Sequence, residues 1–163
     1  AMNLSPMSSL KKSKNLSLLF DRAMQTNKWV SHMTADTLLT YAQSRKHEVI
    51  YTNTPIAFSV EESRQCYIAI PRGLSSVDEK EALAHEPGHC EYGGFYNRYS
   101  KYDIRAKAER RADKWAFARL VPYGRLMQAV RHGVTEVWDL AELFDVSCEF
   151  MQRAIAYYKT AIV

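Results

Sequence analysis

The sequence has little that would staple a chain covalently or break it into pieces. Its three cysteines, Cys66, Cys90 and Cys148, are an odd number with no CxxC spacing. That argues against a disulfide framework and a cysteine-built zinc knuckle, and suits a reducing, cytoplasmic setting. Six glycines and five prolines among 163 residues form no low-complexity tract, so the chain is expected to fold throughout. No run approaches the roughly eighteen apolar residues of a membrane span. The apolar stretch at Leu16, Leu18, Leu19 and Phe20 follows Lys11, Lys12 and Lys14 but soon meets Asp21 and Arg22, which does not fit a signal peptide. Ala1 before Met2 reads as a cloning remnant, and residues 1–10 are set aside as disordered or tag-derived. Charge of a single sign is also missing: 22 Lys and Arg are interspersed with 18 Asp and Glu, a net +4, which selects neither nucleic acid nor membrane. The series Arg105, Lys107, Arg110, Arg111 and Lys114 reads as the solvated face of one helix.

What is present is periodicity. Leu16, Leu19, Phe20, Ala23 and Met24 recur at helical spacing, and a second helix is predicted from about Thr34 to Ser44. Three β-type runs follow, Val49 to Thr52, Ile56 to Val60 and Cys66 to Ile70, enough for a small antiparallel or mixed sheet. Ser76 followed by Glu79 has the spacing of a capping box, opening a helix from about Val77 to Tyr92 that Gly93 ends. Further helices are predicted at about Asp103 to Leu120, closed by Pro122, then Tyr123 to Arg131, Thr135 to Phe144 and Cys148 to Ala161. The predicted organisation is α+β, with a core over residues 1–122 and a C-terminal helical lobe over 123–163.

Chemistry enters at residues 85 to 89, which read His-Glu-Pro-Gly-His, an HExxH motif on a helix. Residues four apart lie one above the other, so His85 and His89 can offer two imidazoles to one cation, with Glu86 beside them as the base that activates a water. The next helix carries Glu109 and Asp113, again four apart. Glu109 would complete a His₂Glu zinc site, and Asp113 would accept the free N–H of a ligand histidine and fix its tautomer. One residue runs against the pattern. Pro87 inside the helix removes the bond to the Leu83 carbonyl and should cost about 3 kcal/mol, so a kink between the histidines is expected.

The sequence also resembles the ImmA/IrrE-type metallopeptidases of phages and mobile elements. The likeness runs through Ala82-Leu83-Ala84-His85-Glu86, Gly88-His89-Cys90, Phe95-Tyr96-Asn97-Arg98-Tyr99, the segment Lys107 to Ala116, and the segment Thr135 to Phe144. It implies a zincin-like α+β fold with helices packed on a small three-stranded sheet. It implies one Zn2+ held by His85, His89 and Glu109, Glu86 as general base, and Asp113 in support. It further implies an endopeptidase that cuts a helix-turn-helix transcriptional repressor and so relieves repression. By analogy with zincins, the strand Cys66 to Ile70 would offer its edge to an extended substrate. The position after Glu86 is ordinarily apolar in this pattern, so Pro87 leaves an alternative: an inactive zincin scaffold that regulates or binds protein.

Other signals are weaker. Tyr92, Tyr96, Tyr99 and Tyr102 are candidate oxyanion donors, none singled out by spacing. Cys90 points away from the ligand face and reads as a core cysteine, and His32, His47 and His132 read as surface or helix-end residues. Thr135 to Tyr158 has a helix-turn-helix outline that would permit weak DNA contact. Its acidic residues, Glu136, Asp139, Glu142, Asp145 and Glu149, favour a packing lobe instead, docked through Met127, Trp138, Leu140, Leu143 and Phe144.

Overall fold

The computed structural model describes residues 33–97 and 99–161; the helix predicted at Leu16 to Met24, and His32, lie outside them. Thr34 caps the first helix, α1 (Ala35–Ser44), its side chain accepting from the Thr37 N–H. Three strands follow: β1 (Glu48–Thr52), β2 (Phe58–Glu62) and β3 (Gln65–Pro71). Five helices complete the described chain: α2 (Ser76–Tyr92), α3 (Tyr102–Leu120), α4 (Tyr123–Arg131), α5 (Val137–Phe144) and α6 (Cys148–Ala161). The predicted α+β architecture is therefore found. No helix among the described residues is long and apolar enough to cross a membrane.

The sheet order is β1-β3-β2, with β1 parallel and β2 antiparallel to β3. β3 is thus the central strand. Its edges are both taken, so Cys66 to Ile70 has no free edge to offer, contrary to expectation, and the outer strands of the sheet are β1 and β2. The error has a simple source: β3 is the most apolar of the three runs because it is sandwiched, and nothing local in the sequence reports which strand lies outermost. β2 and β3 are joined through Ser63 and Arg64, both at positive φ (53° and 66°), between the paired residues Glu62 and Gln65. This is the primed two-residue turn whose twist suits a hairpin, made here without glycine or asparagine.

Cys66, Ile68 and Ile70 alternate onto one buried face of β3, and this face meets α2. Tyr51 of β1 reaches α2 as well, donating its hydroxyl to Glu79. Glu79 therefore does not act in the predicted box. The cap is one residue earlier, where Ser75 accepts from the Asp78 N–H. Cys66 and Cys90 are joined by a disulfide across 24 residues, correcting the reading of Cys90 as an independent core thiol. Their proximity depends on the face of β3 meeting the last turn of α2, which spacing does not report. Cys148 is free and exposed.

α2 continues unbroken through Pro87, which is itself fully buried. One reason that α2 and α3 lie close is Gly88. A Cβ there would stand 2.7 Å from Ala112 Cα and 3.1 Å from Trp115 Cβ, so only glycine permits this approach. Farther back on α2, Lys80 is buried and bonds both the carbonyl and the carboxylate of Asp145. Glu81 accepts from the Ser147 N–H at 2.6 Å and from its hydroxyl at 3.2 Å. These two residues hold the α5–α6 turn against α2. Leu140, Leu143 and Phe144 are buried as expected, but Trp138 is 63% exposed, a correction to its predicted docking role. It sits on the outer side of α5, where Leu140 and Phe144 take the inner side.

Candidate metal centre

α2 and α3 present their i,i+4 pairs to one another. His85 Nε2 and His89 Nε2 are 3.2 Å apart. Glu109 Oε2 is 3.3 Å from the first, and Glu109 Oε1 is 3.4 Å from the second. The expected kink at Pro87 has not opened the histidines. Their other nitrogens are occupied: His85 Nδ1 lies 3.1 Å from Asp113 Oδ1, and His89 Nδ1 lies 3.0 Å from the Gly94 carbonyl. When each Nδ1 carries a proton and donates it to these acceptors, each Nε2 presents a lone pair.

Four electron-rich atoms, the two Nε2 and both Glu109 oxygens, then converge with no donor between them, a repulsive arrangement unless a proton or a cation intervenes. The separation of the two Nε2 atoms, 3.2 Å, and of each from its nearer Glu109 oxygen, 3.3 and 3.4 Å, are each close to the edge of about 3.3 Å that a tetrahedron has when metal–ligand bonds are about 2.0–2.1 Å. The donor set, its spacing and its fixed tautomers fit a zinc ion.

The electrostatics agree. Burial alone would lower the His85 pKa, but the Asp113 and Glu109 carboxylates outweigh it and push it up to about 9. Without a metal, a proton therefore takes the cation's place. Bonds from His85 and then His89 hold Glu109 far below the usual carboxylate range. Burial raises Asp113, yet His85 and Arg153 together pull it down. Arg153, on α6, bonds Asp113 Oδ1 directly. Sequence reading missed Arg153, since nothing in its local pattern points across to α3.

Glu86 is buried, which raises its pKa against the opposing pull of His85, Ser59 and His89. Ser59, on β2, faces this carboxyl, yet Ser59 Oγ and Glu86 Oε2 each complete no hydrogen bond. A cleft of about 330 Å³ opens over the group, bounded by Ile56 to Ser59 on one side and by Phe95 and Tyr96 on the other. Of the four candidate tyrosines only Tyr96 lines it. Its hydroxyl donates to Glu109 Oε1 at 2.5 Å, and its ring stands 6.0 Å from that of His89. Burial, then the bond to Glu109, push its pKa up to about 12. Tyr92 packs on Trp115 instead, and Tyr99 and Tyr102 are about four-fifths exposed. Arg105, Lys107, Arg110, Arg111 and Lys114 of α3 are all exposed.

A family profile described as the IrrE N-terminal-like domain, a peptidase family, matches residues 40–156. The chain belongs to this family. The match spans both pairs of the α2–α3 site and all the described strands. No curated protein and no solved structure shows significant similarity to the chain. As a member of the IrrE N-terminal-like peptidase family the chain has a protein as its implied substrate and a metal as its implied cofactor, for which the convergent group on α2 and α3 supplies candidate ligands.

Proposed function

We propose that this protein is a zinc-dependent endopeptidase acting on a helix-turn-helix transcriptional repressor. The observation that carries the catalytic part is the convergence of His85 Nε2 and His89 Nε2, 3.2 Å apart, on the two oxygens of Glu109, one 3.3 Å from His85 and the other 3.4 Å from His89, beside a buried Glu86. The repressor rests on the family likeness. The division into a core ending near residue 122 and a helical lobe beyond it belongs to the same reading.

In this reading His85, His89 and Glu109 hold the ion. Zinc supplies Lewis acidity there, polarising the scissile carbonyl and lowering the pKa of water to about 7. Glu86 accepts the proton of the attacking water and returns it to the leaving amine. Its burial-raised pKa suits a group that must both take and give a proton near neutrality. Asp113, backed by Arg153, keeps His85 turned toward the ion. Tyr96 is the residue placed to donate to the oxyanion, by releasing its bond to Glu109.

The substrate's path follows from the sheet. β2 has no strand on its outer side among the described residues, and its start forms one wall of the cleft. An extended peptide adding to this edge would satisfy its backbone groups and bring one carbonyl over Glu86. A folded helix could not, so the cut would fall in a linker or an opened segment of the repressor.

The decisive experiment joins metal content to cleavage. Elemental analysis of the chain with its Cys66–Cys90 disulfide intact should give about one zinc per chain, lost in His89→Ala, and co-expression with candidate repressors should yield a fragment that Glu86→Gln does not produce. Cleavage that persists undiminished in Glu86→Gln would overturn the mechanism, and zinc that fails to bind after reconstitution would overturn the site.

A further inference from the structure

A second set of ligand-type side chains lies behind the catalytic helix. His47, between α1 and β1, meets Cys66 at the start of β3 and Cys90 in the last turn of α2. One ligand atom from each lies within 4.8 Å of the other two. Cys66 is buried, and His47 and Cys90 are half-buried. None of the three takes part in the site described above.

A purely structural disulfide needs only its two sulfurs. Here a third donor stands beside them, and it is itself held. His47 Nε2 is 3.3 Å from Glu91 Oε1, and Glu91 is fixed by Arg45 at 2.8 and 3.0 Å and by the Tyr41 hydroxyl at 2.8 Å. A carboxylate that accepts from one ring nitrogen, leaving the other with its lone pair, is the support that metal-binding histidines ordinarily have. The Arg45 guanidinium balances the Glu91 charge, so two thiolates could be compensated by a divalent cation.

We propose that His47, Cys66 and Cys90 form a second, redox-gated metal site that takes zinc or another thiophilic cation when the disulfide is reduced. The structure records the oxidised form. Thiol–disulfide exchange with a dithiol reductant passes two electrons and two protons to the Cys66–Cys90 bond; the S–S bond breaks, two thiols form, and the reductant is left as its own disulfide. Metal binding then displaces the two thiol protons and forms two metal–sulfur bonds. The donor set is Cys₂His, with a fourth position for water, a combination that selects zinc over hard cations. The Cα atoms of the two cysteines, 5.9 Å apart, need not move, since rotation about each Cα–Cβ bond parts the sulfurs.

The bound metal would join the turn that follows His89 to the start of β3, the same two points that the disulfide joins. Redox state would then decide what holds them together.

The test uses cobalt(II) as the probe on the full chain carrying His85→Ala, which disables the first site. After reduction and removal of the reductant, one cobalt per chain should bind and give a near-ultraviolet sulfur-to-cobalt charge-transfer band, which oxygen and nitrogen ligands do not produce. The oxidised chain should show no such band. Cys66→Ser should abolish it, and Glu91→Gln, which leaves all three donors in place, should weaken binding about tenfold. Circular dichroism on each variant separates loss of the site from loss of the fold. A folded, reduced chain that binds cobalt without a thiolate band, or that shows no band at all, overturns the proposal. Neither outcome bears on the His85–His89–Glu109 reading, which has no sulfur ligand.

Discussion

Replacing Gly88 with alanine tests how the metal centre is held. The added Cβ would lie 2.7 Å from Ala112 Cα and 3.1 Å from both the Ala112 carbonyl oxygen and Trp115 Cβ. Carbon atoms settle at about 3.5 Å or more, so α2 and α3 must separate by about 0.8 Å or twist past one another. The two nearest atoms are backbone, so no side-chain rotation relieves the clash. Such overpacking costs about 1–3 kcal/mol, against which the better helix propensity of alanine returns about 1 kcal/mol. The expected net loss is about 0–2 kcal/mol, a fall in Tm of up to about 8 °C for a chain of this size.

The larger effect falls on the ligands. Glu109 and Asp113 ride on α3, and moving that helix lengthens the 3.3 and 3.4 Å separations to the histidines. Zinc affinity, measured by competition with a chromophoric chelator, should fall at least tenfold. Gly124→Ala is the control, since a Cβ there meets nothing within 4 Å; it should leave affinity unchanged and raise Tm slightly. If Gly88→Ala binds zinc normally and melts no lower than the wild type, α2 and α3 do not touch through this position.

Asp113→Asn removes the negative charge that His85 and Arg153 share and lets the amide turn its NH2 toward His85; zinc affinity should drop about 10- to 100-fold, and an unchanged affinity would show that His85 needs no such support. The hairpin residues Ser63 and Arg64 both occupy left-handed backbone, so Ser63→Asn with Arg64→Gly should raise urea stability by about 1 kcal/mol, whereas destabilisation would deny the primed turn. Glu81 offers a pH test. Burial raises its pKa above the ordinary 4.5 despite the Ser147 bonds. The folded chain therefore binds more protons than the unfolded one from 4.5 upward, and stability contributed by this group falls as pH rises through that window. In Glu81→Gln this slope should vanish, and a urea midpoint that varies with pH as in the wild type would refute the assignment.

Much of the site was legible because it obeys the helix repeat. His85 with His89, and Glu109 with Asp113, are each four apart, and periodicity alone puts each pair on one face of a helix. That the two faces meet depends on Gly88 and Ala112, small residues whose role appears only when the helices are docked. Element ends were legible where a residue has a local reason to end something, as with Thr34, Gly93 and Pro122. Ser75 and Ser76 both have cap chemistry, and local pattern did not choose between them. What spacing misses is contact between segments far apart in sequence: the central place of β3, the Cys66–Cys90 bond, the Glu91 support of His47, and the reach of Arg153 to Asp113. Each is fixed by the docking of whole elements, a property that no window of sequence contains.

The attachment of α5 and α6 to α2 has a consequence for the order in which the protein is made. His85, Glu86 and His89 leave the ribosome well before Asp145, Ser147 and Arg153. Until those later residues arrive, Lys80 has no partner to enter the interior with, and Asp113 is free to turn away from His85. The nascent chain therefore carries the whole HExxH helix before the residues that brace it, Asp145 and Ser147 on Lys80 and Glu81 and Arg153 on Asp113, have been made.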